Sequence, residues 1–234
     1  VTQARVLGQT LASTGVVRAT GTPNVFIADT VSAGSVIATD ATASLLNISN
    51  SGAVTVTGGT FELYEVTNQA AGTVTISGLT ATLQAVANKG SLTVSDSQAE
   101  LTAATNAAGA TITGYSGTYT FKGNGLVNDG KIVVGAASAG RRRLSTATTL
   151  IVEGGVNNGN FVVASGTTMA LTLQENSGTI DVAAGVTGSI TLVNPSSGSI
   201  TGAGAKDITI NGKKGESDGG IDAAVLGGAI GGGV

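Results

Sequence analysis

Apolar and polar residues alternate in short runs along most of the chain, and the alternation recurs with a period near 19 residues. Each copy of the pattern contains a Gly, and successive copies are 18 to 21 residues apart except for one interval of 29. These glycines are Gly15, Gly34, Gly52, Gly72, Gly90, Gly109, Gly130, Gly159, Gly178 and Gly198. A short fixed period is typical of solenoid proteins, whose repeats bury their apolar faces only by stacking.

The residue two positions after each Gly is apolar in nine of the ten copies. The nine are Val17, Val36, Val54, Val74, Leu92, Ile132, Phe161, Ile180 and Ile200, and the exception is Thr111, which has Ile112 beside it. A second apolar position often follows two residues later, at Val56, Ile76, Val94, Val134, Val163 and Val182. Alternation of this kind predicts short strands that turn one side toward a shared interior.

An Asn precedes the Gly by two to four residues in most copies. These residues are Asn50, Asn68, Asn88, Asn106, Asn128, Asn157, Asn176 and Asn194. Asn and Gly accept left-handed backbone angles more readily than other residues do, so we interpret the pair as a coil corner. When such corners stack, the Asn side chains can form a hydrogen-bonded ladder.

The pattern predicts an all-β fold, a right-handed parallel β-helix of about ten to eleven coils. The competing interpretation is an antiparallel sandwich, which would place turns every 8 to 12 residues without a longer register. The predicted solenoid covers residues 1–212, with a loop insertion at 136–149 inside the long interval. Residues 213–234 form a Gly-rich linker or tail.

The composition contains no Cys and no His, and its formal net charge is −3. Disulfides, Cys/His zinc sites and His-based catalysis are therefore excluded. A net negative charge gives no indication of nucleic-acid binding. Acidic residues do not recur at one position in successive coils, so we expect no enzyme, no metal site and no cofactor.

The segments "VANKGSLTVSD", "LVNDGKIVVG" and "LQENSGTIDVAAG" resemble the coils of right-handed β-helix repeat proteins. These include autotransporter passenger domains and adhesins of the filamentous haemagglutinin type. The resemblance covers about residues 10 to 212. It implies a rod outside the cell or on its surface that acts in adhesion or as a stalk.

Two irregular segments are candidate partner contacts. The insertion carries Arg141, Arg142 and Arg143. It is either a solvated surface loop, a basic contact to an acidic partner or anionic glycan, or a dibasic protease cleavage site. Loops that project from a rigid scaffold often carry function. The second segment holds Tyr115 and Tyr119, which either contact a carbohydrate or fill a widened coil.

The tail has no charge between Ala223 and Val234. Twelve residues are too few to cross a bilayer, which needs about twenty. We therefore expect a membrane connection only through a C-terminal extension beyond Val234. A flexible tail and a strand that pairs with another subunit are the alternatives.

We expect a non-enzymatic structural or adhesive rod that forms homo-oligomers or filaments, with a glycan or a surface protein as a possible partner. One alternative is a glycan-binding module. The other is ice binding through Thr-x-Thr pairs, here Thr55/Thr57, Thr73/Thr75 and Thr111/Thr113. In this alignment Leu92, Lys131, Asn160 and Asp181 interrupt the Thr array.

Overall fold

The computed structural model of the protein describes residues 4–7, 10–11, 15–21, 25–28, 31–135 and 147–212. Within them lie two short 3-10 helices, Gly123–Gly125 and Ala205–Asp207, and otherwise only strands. The strands are β1 (Ala4–Leu7), β2 (Thr10–Leu11), β3 (Val16–Thr20), β4 (Val25–Ala28), β5 (Val31–Ser32), β6 (Ser35–Leu46), β7 (Ser49–Asn50), β8 (Ala53–Tyr64), β9 (Thr67–Asn68), β10 (Thr73–Ser77), β11 (Thr80–Gln84), β12 (Ala87–Asn88), β13 (Ser91–Thr102), β14 (Thr105–Asn106), β15 (Thr111–Lys122), β16 (Val127–Asn128), β17 (Lys131–Val134), β18 (Thr148–Glu153), β19 (Val156–Asn157), β20 (Asn160–Val163), β21 (Thr167–Leu173), β22 (Glu175–Asn176), β23 (Thr179–Val182), β24 (Thr187–Leu192), β25 (Ser199–Thr201) and β26 (Thr209–Gly212). The predicted all-β class is confirmed.

Every strand pair in the described part of the chain is parallel and joins one coil to the next. Nine short strands form one sheet, in the order β2-β5-β7-β9-β12-β14-β16-β19-β22, and the other 17 form a larger sheet. An antiparallel sandwich is therefore excluded. The chain is a parallel β-solenoid of about nine turns with a repeat near 19 residues, slightly fewer turns than predicted. Its right-handed sense stays a prediction.

One coil shows how the three faces arise. Residues 91–95 of β13 run along the first face, and the backbone bends at Asp96, whose φ is +50°. Residues 98–102 then run along the second face, and a second bend at Ala103 has a φ of +52°. The short strand β14 forms the third face before a turn returns the chain to the first face, one coil further along.

The interior consists of apolar columns that run the length of the rod. The predicted first-face column is confirmed from Val36 to Ile200, since each member pairs with the equivalent residue of the neighbouring coil. A second-face column contains Ile27, Leu45, Leu63, Leu83, Leu101, Phe121, Val152, Leu171 and Ile190, all at most 2% exposed. Parallel in-register pairing thus gives one continuous hydrophobic core.

The sequence alignment of the repeat was wrong by one residue at Gly109. Ser91 pairs with Thr111, so the position equivalent to Gly90 is Ala110. Leu92 and Val94 therefore pair with Ile112 and Gly114 rather than with Thr111 and Thr113. The exception in the repeat disappears, because Ile112 takes the interior position and is 5% exposed.

Seven asparagines on the third face form a continuous asparagine ladder inside the rod. They are Asn50, Asn68, Asn88, Asn106, Asn128, Asn157 and Asn176, and each is at most 1% exposed. The Nδ2 of each of the first six donates to the Oδ1 of the next Asn along the rod, over distances of 2.7 to 2.9 Å. Most of these Nδ2 groups also donate to backbone carbonyls, as Asn88 does to Gly90 and Thr111.

Left-handed geometry is not the reason for the ladder Asn or for most of the repeated Gly, contrary to our expectation; Gly109, with a φ of +81°, is the exception. Residues with positive φ lie instead three positions before the ladder, at Asn47, Glu65, Ala85 and Ala103. The repeated Gly is required by close approach between coils. A Cβ on Gly90 would lie 2.3 Å from the Gly72 carbonyl oxygen, well inside van der Waals contact.

Asn194 does not continue the ladder. The register of β23 with β25, extended back by three residues, places Ser196 opposite Asn176, and the Ser196 Oγ accepts a hydrogen bond of 3.0 Å from the Asn176 backbone N–H. Asn194 lies two residues earlier on an exposed bend. The last predicted corner is therefore a turn of different construction.

Replacing a central ladder residue should destabilise the protein more than replacing the last one. Asn106→Ala breaks two ladder bonds, since the Asn88 amide loses its Asn106 acceptor and the Asn128 Oδ1 loses its donor, whereas Asn176→Ala breaks one ladder bond. An unsatisfied buried group costs about 1 to 3 kcal/mol. Urea denaturation should show the larger loss for Asn106→Ala and almost none for the exposed control Lys89→Ala. Equal losses for the two Asn variants would contradict the ladder.

Candidate functional site

The first face carries a regular hydroxyl array between residues 53 and 113. Its middle row is Thr55, Thr75, Thr93 and Thr113, which are in register on four successive coils. The rows on either side are Thr73, Ser91 and Thr111, and Thr57, Ser77 and Ser95. Leu92 does not interrupt this array as expected, because it faces the core and is 1% exposed. Lys131 and Asp181 lie beyond its end.

The second face also has an outward Thr row, but charged side chains lie beside it. The row is Thr42, Thr60, Thr80, Gln98, Thr118, Thr149, Thr168 and Thr187. Glu100 and Lys122 form an ion pair of 2.7 Å on this face, and the hydrogen bond to Glu100 raises the pKa of Lys122. Both side chains are more than two-fifths exposed, so the pair contributes little to stability.

An open groove of about 550 Å³ lies at the bend between these two faces. It forms because Gly59 and Gly78 contribute no side chains there, while Asp96, Gln98 and Thr118 stand at its border. Its floor includes Ser97, which is 3% exposed and donates through Oγ to the Ser95 carbonyl at 2.7 Å. The groove thus combines neutral hydrogen-bonding groups with one carboxylate.

Tyr119 is a core residue and not a surface contact. It is 3% exposed, and its hydroxyl is directed at the carbonyl oxygens of Val94, at 3.0 Å, and Tyr115. Gly114 leaves the space for the ring, since a Cβ there would lie 3.0 Å from a ring carbon. Burial raises the pKa of Tyr119 well above its ordinary value.

The other predicted contact residues are Tyr115 and the three arginines of the insertion. Tyr115 is half-buried, beside Ser116 of the groove, and pairs with Ser95 of the array. Arg141, Arg142 and Arg143 lie outside the described residues, as does the tail 213–234. The insertion joins β17 to β18, so its two ends lie at the same bend as the groove, where Ala147 contributes to the lining.

Sequence reasoning missed the groove residues Asp96, Gln98 and Thr118. Gly58-Gly59 and Gly78 fall at one bend of successive coils, and aligning the coils at Gly52 and Gly72 would have revealed this gap, because Gly58 and Gly78 each follow six residues later. No group of acidic side chains within the described ranges is arranged to hold a metal ion. In the same ranges no helix is long and apolar enough to cross a membrane.

No protein family, curated protein or solved structure matches this chain. The resemblance to autotransporter passengers and haemagglutinin-type adhesins therefore extends to the architecture, a parallel β-solenoid, and kinship with either stays a prediction.

The contribution of Tyr119 should depend on pH. Its pKa is higher in the folded than in the unfolded protein, so the unfolded protein ionises first and the stabilisation is lost as pH rises above about 10. Tyr119→Phe should lower the free energy of unfolding by about 1 kcal/mol at pH 7, because no hydroxyl then donates a hydrogen bond to the Val94 and Tyr115 carbonyls.

The difference in unfolding free energy between wild type and Tyr119→Phe should therefore narrow above pH 10. Urea titrations at pH 7, 9.5 and 10.5 measure it, with Tyr115→Phe as the matched control. A difference that stays constant over this range would show that burial does not hold the proton on Tyr119.

Proposed function

We propose that this protein is a non-enzymatic structural or adhesive rod outside the cell or on its surface, and that copies associate end to end. The observation that carries the proposal is the asparagine ladder, which extends through seven successive coils without a break. A buried chain of hydrogen bonds along the axis opposes bending and stretching, as a spacer or stalk requires.

The lateral surface supports the same role. Neighbouring coils are about 4.8 Å apart, so the nine strands of the smaller sheet extend over roughly 38 Å. The exposed side chains over this length are mostly small and polar. Val16 and Tyr64 are the only large apolar side chains exposed among the described residues, and two isolated residues do not make an apolar patch on the sides of the rod.

The last described coil has the features of a stacking surface. Ile190 is fully buried, but its partner on the next coil, Ile210, is only partly buried. Strand β26 pairs with β24 on one side, and no further described strand pairs with its other edge. An edge strand with apolar side chains beside it can pair with another chain.

Substituting Ile210→Lys should abolish self-association, because it places a charge where the core of a second copy would continue. Asn211→Lys is the matched control, since its side chain is exposed to the side of the same strand. Sedimentation velocity over a range of concentrations should show wild type and the control growing in steps of whole protomers. A single monomeric species of wild type at the highest concentration would contradict end-to-end association.

A second candidate function, glycan binding, is favoured by the groove at the bend. Its volume lies within the range of small-molecule sites, and Asp96, Gln98 and Thr118 offer the donors and acceptors that sugar hydroxyls need. On a glycan array, Asp96→Asn with Gln98→Ala should weaken binding by about tenfold or more. Gln84→Ala on the second face is the control. Absence of binding by wild type, or equal binding by the variant, would exclude the groove.

A further inference from the structure

We propose that the hydroxyl array on the first face binds ice, a function that goes beyond that of a rod. The array presents ten hydroxyls in three rows that are in register on a parallel sheet. Thr57, Thr73 and Thr75 are exposed, and the other members are half-buried between their neighbours. The side chains are thus held at fixed positions and remain accessible from solvent.

The spacing of the rows is close to that of a hydrogen-bonded water lattice. Hydroxyls of one row are about 4.8 Å apart, because that is the distance between paired strands. Water oxygens that share one tetrahedral neighbour, each about 2.75 Å from it, are about 4.5 Å apart. The mismatch of about 0.3 Å per coil adds up to about 1 Å across four threonines, which small rotations of the side chains absorb.

The distribution of charge is an independent observation that supports a neutral ligand. No charged side chain points outward from the first face between residues 53 and 113. On the second face of the same coils stand Glu62, Glu100 and, one coil later, Lys122. Charged groups hold their own hydration shells, so a surface that orders water into a lattice must exclude them.

Stiff side chains make the middle row well suited to this role. Threonine is branched at Cβ and has few accessible χ1 rotamers, so Thr55, Thr75 and Thr93 lose little entropy when they bind. Each contact is weak, but a crystal surface engages all of them at once.

The array fits ice better than a crystalline polysaccharide. Carbohydrate surfaces are commonly held by aromatic rings stacked on pyranose faces, and the array contains no aromatic side chain. Tyr115 lies just beyond it and is half-buried. A soluble sugar would favour a concave site, and the groove at the bend contains none of the ten array residues.

Thermal hysteresis and ice-recrystallisation inhibition of the purified chain test the proposal. Wild type should show both, and Thr75→Lys with Thr93→Lys should lose them, because two charges then stand in the middle row. Thr60→Lys with Thr80→Lys is the matched control, with equal charges on adjacent coils of the second face, and it should keep wild-type activity. Circular dichroism verifies that each variant is folded. If the array double variant does not fold, the single variant Thr75→Lys, at an exposed position, takes its place.

Three results would overturn the proposal. The first is wild type without hysteresis, and the second is equal loss in the array and control variants. The third is binding to insoluble cellulose or chitin, lost on substituting the array, in a protein that does not affect ice growth. The assay is made on the monomeric fraction, so its outcome is independent of end-to-end association.

Discussion

The buried asparagine ladder is the interaction on which the rest of the structure depends. An amide has both donors and an acceptor, so Asn is able to bond to the coil before it and the coil after it with a single side chain. Leaving either group unsatisfied in the interior would be costly, and the ladder avoids this only if each Asn lies directly over the last. The hydrogen bonds therefore fix the alignment of successive coils.

That alignment determines what the outer faces present. Because neighbouring strands pair in register, side chains one coil apart stand in rows on the first and second faces. The same sequence in a slipped register would scatter its hydroxyls and turn core residues outward. The rows of Thr and Ser, the separation of charge between faces and the groove at the bend all follow from one internal constraint.

The sequence predicted the architecture and the ladder positions because both repeat with the chain. The alternation around Val74 and Ile76 predicted interior rows correctly, and the spacing of Asn68, Asn88 and Asn106 predicted the stacked corners. The role predicted for the repeated Gly was wrong. Most of these glycines are required by close contact between neighbouring coils, and that contact is not visible in one copy of the repeat.

The candidate sites were harder to predict, for two physical reasons. The turn after Asn106 is longer than the one after Asn88, and its Gly109 comes one place early, which hid the Thr row on the first face. The groove results from the lack of side chains at Gly59 and Gly78. A missing side chain does not produce an alternation of apolar and polar residues that a sequence pattern would show. Tyr119 was ambiguous because only the structure shows the space above Gly114.

The variable turns also bear on how such a chain changes in length over generations. Ladder residues are 18, 20, 18, 22, 29 and 19 positions apart, and these differences lie outside the paired strands. A segment running from one ladder Asn to the next begins and ends at equivalent places, so its duplication or loss by recombination leaves every remaining coil with a matching neighbour. The number of coils can therefore vary between descendants while the cross-section of the rod is inherited unchanged.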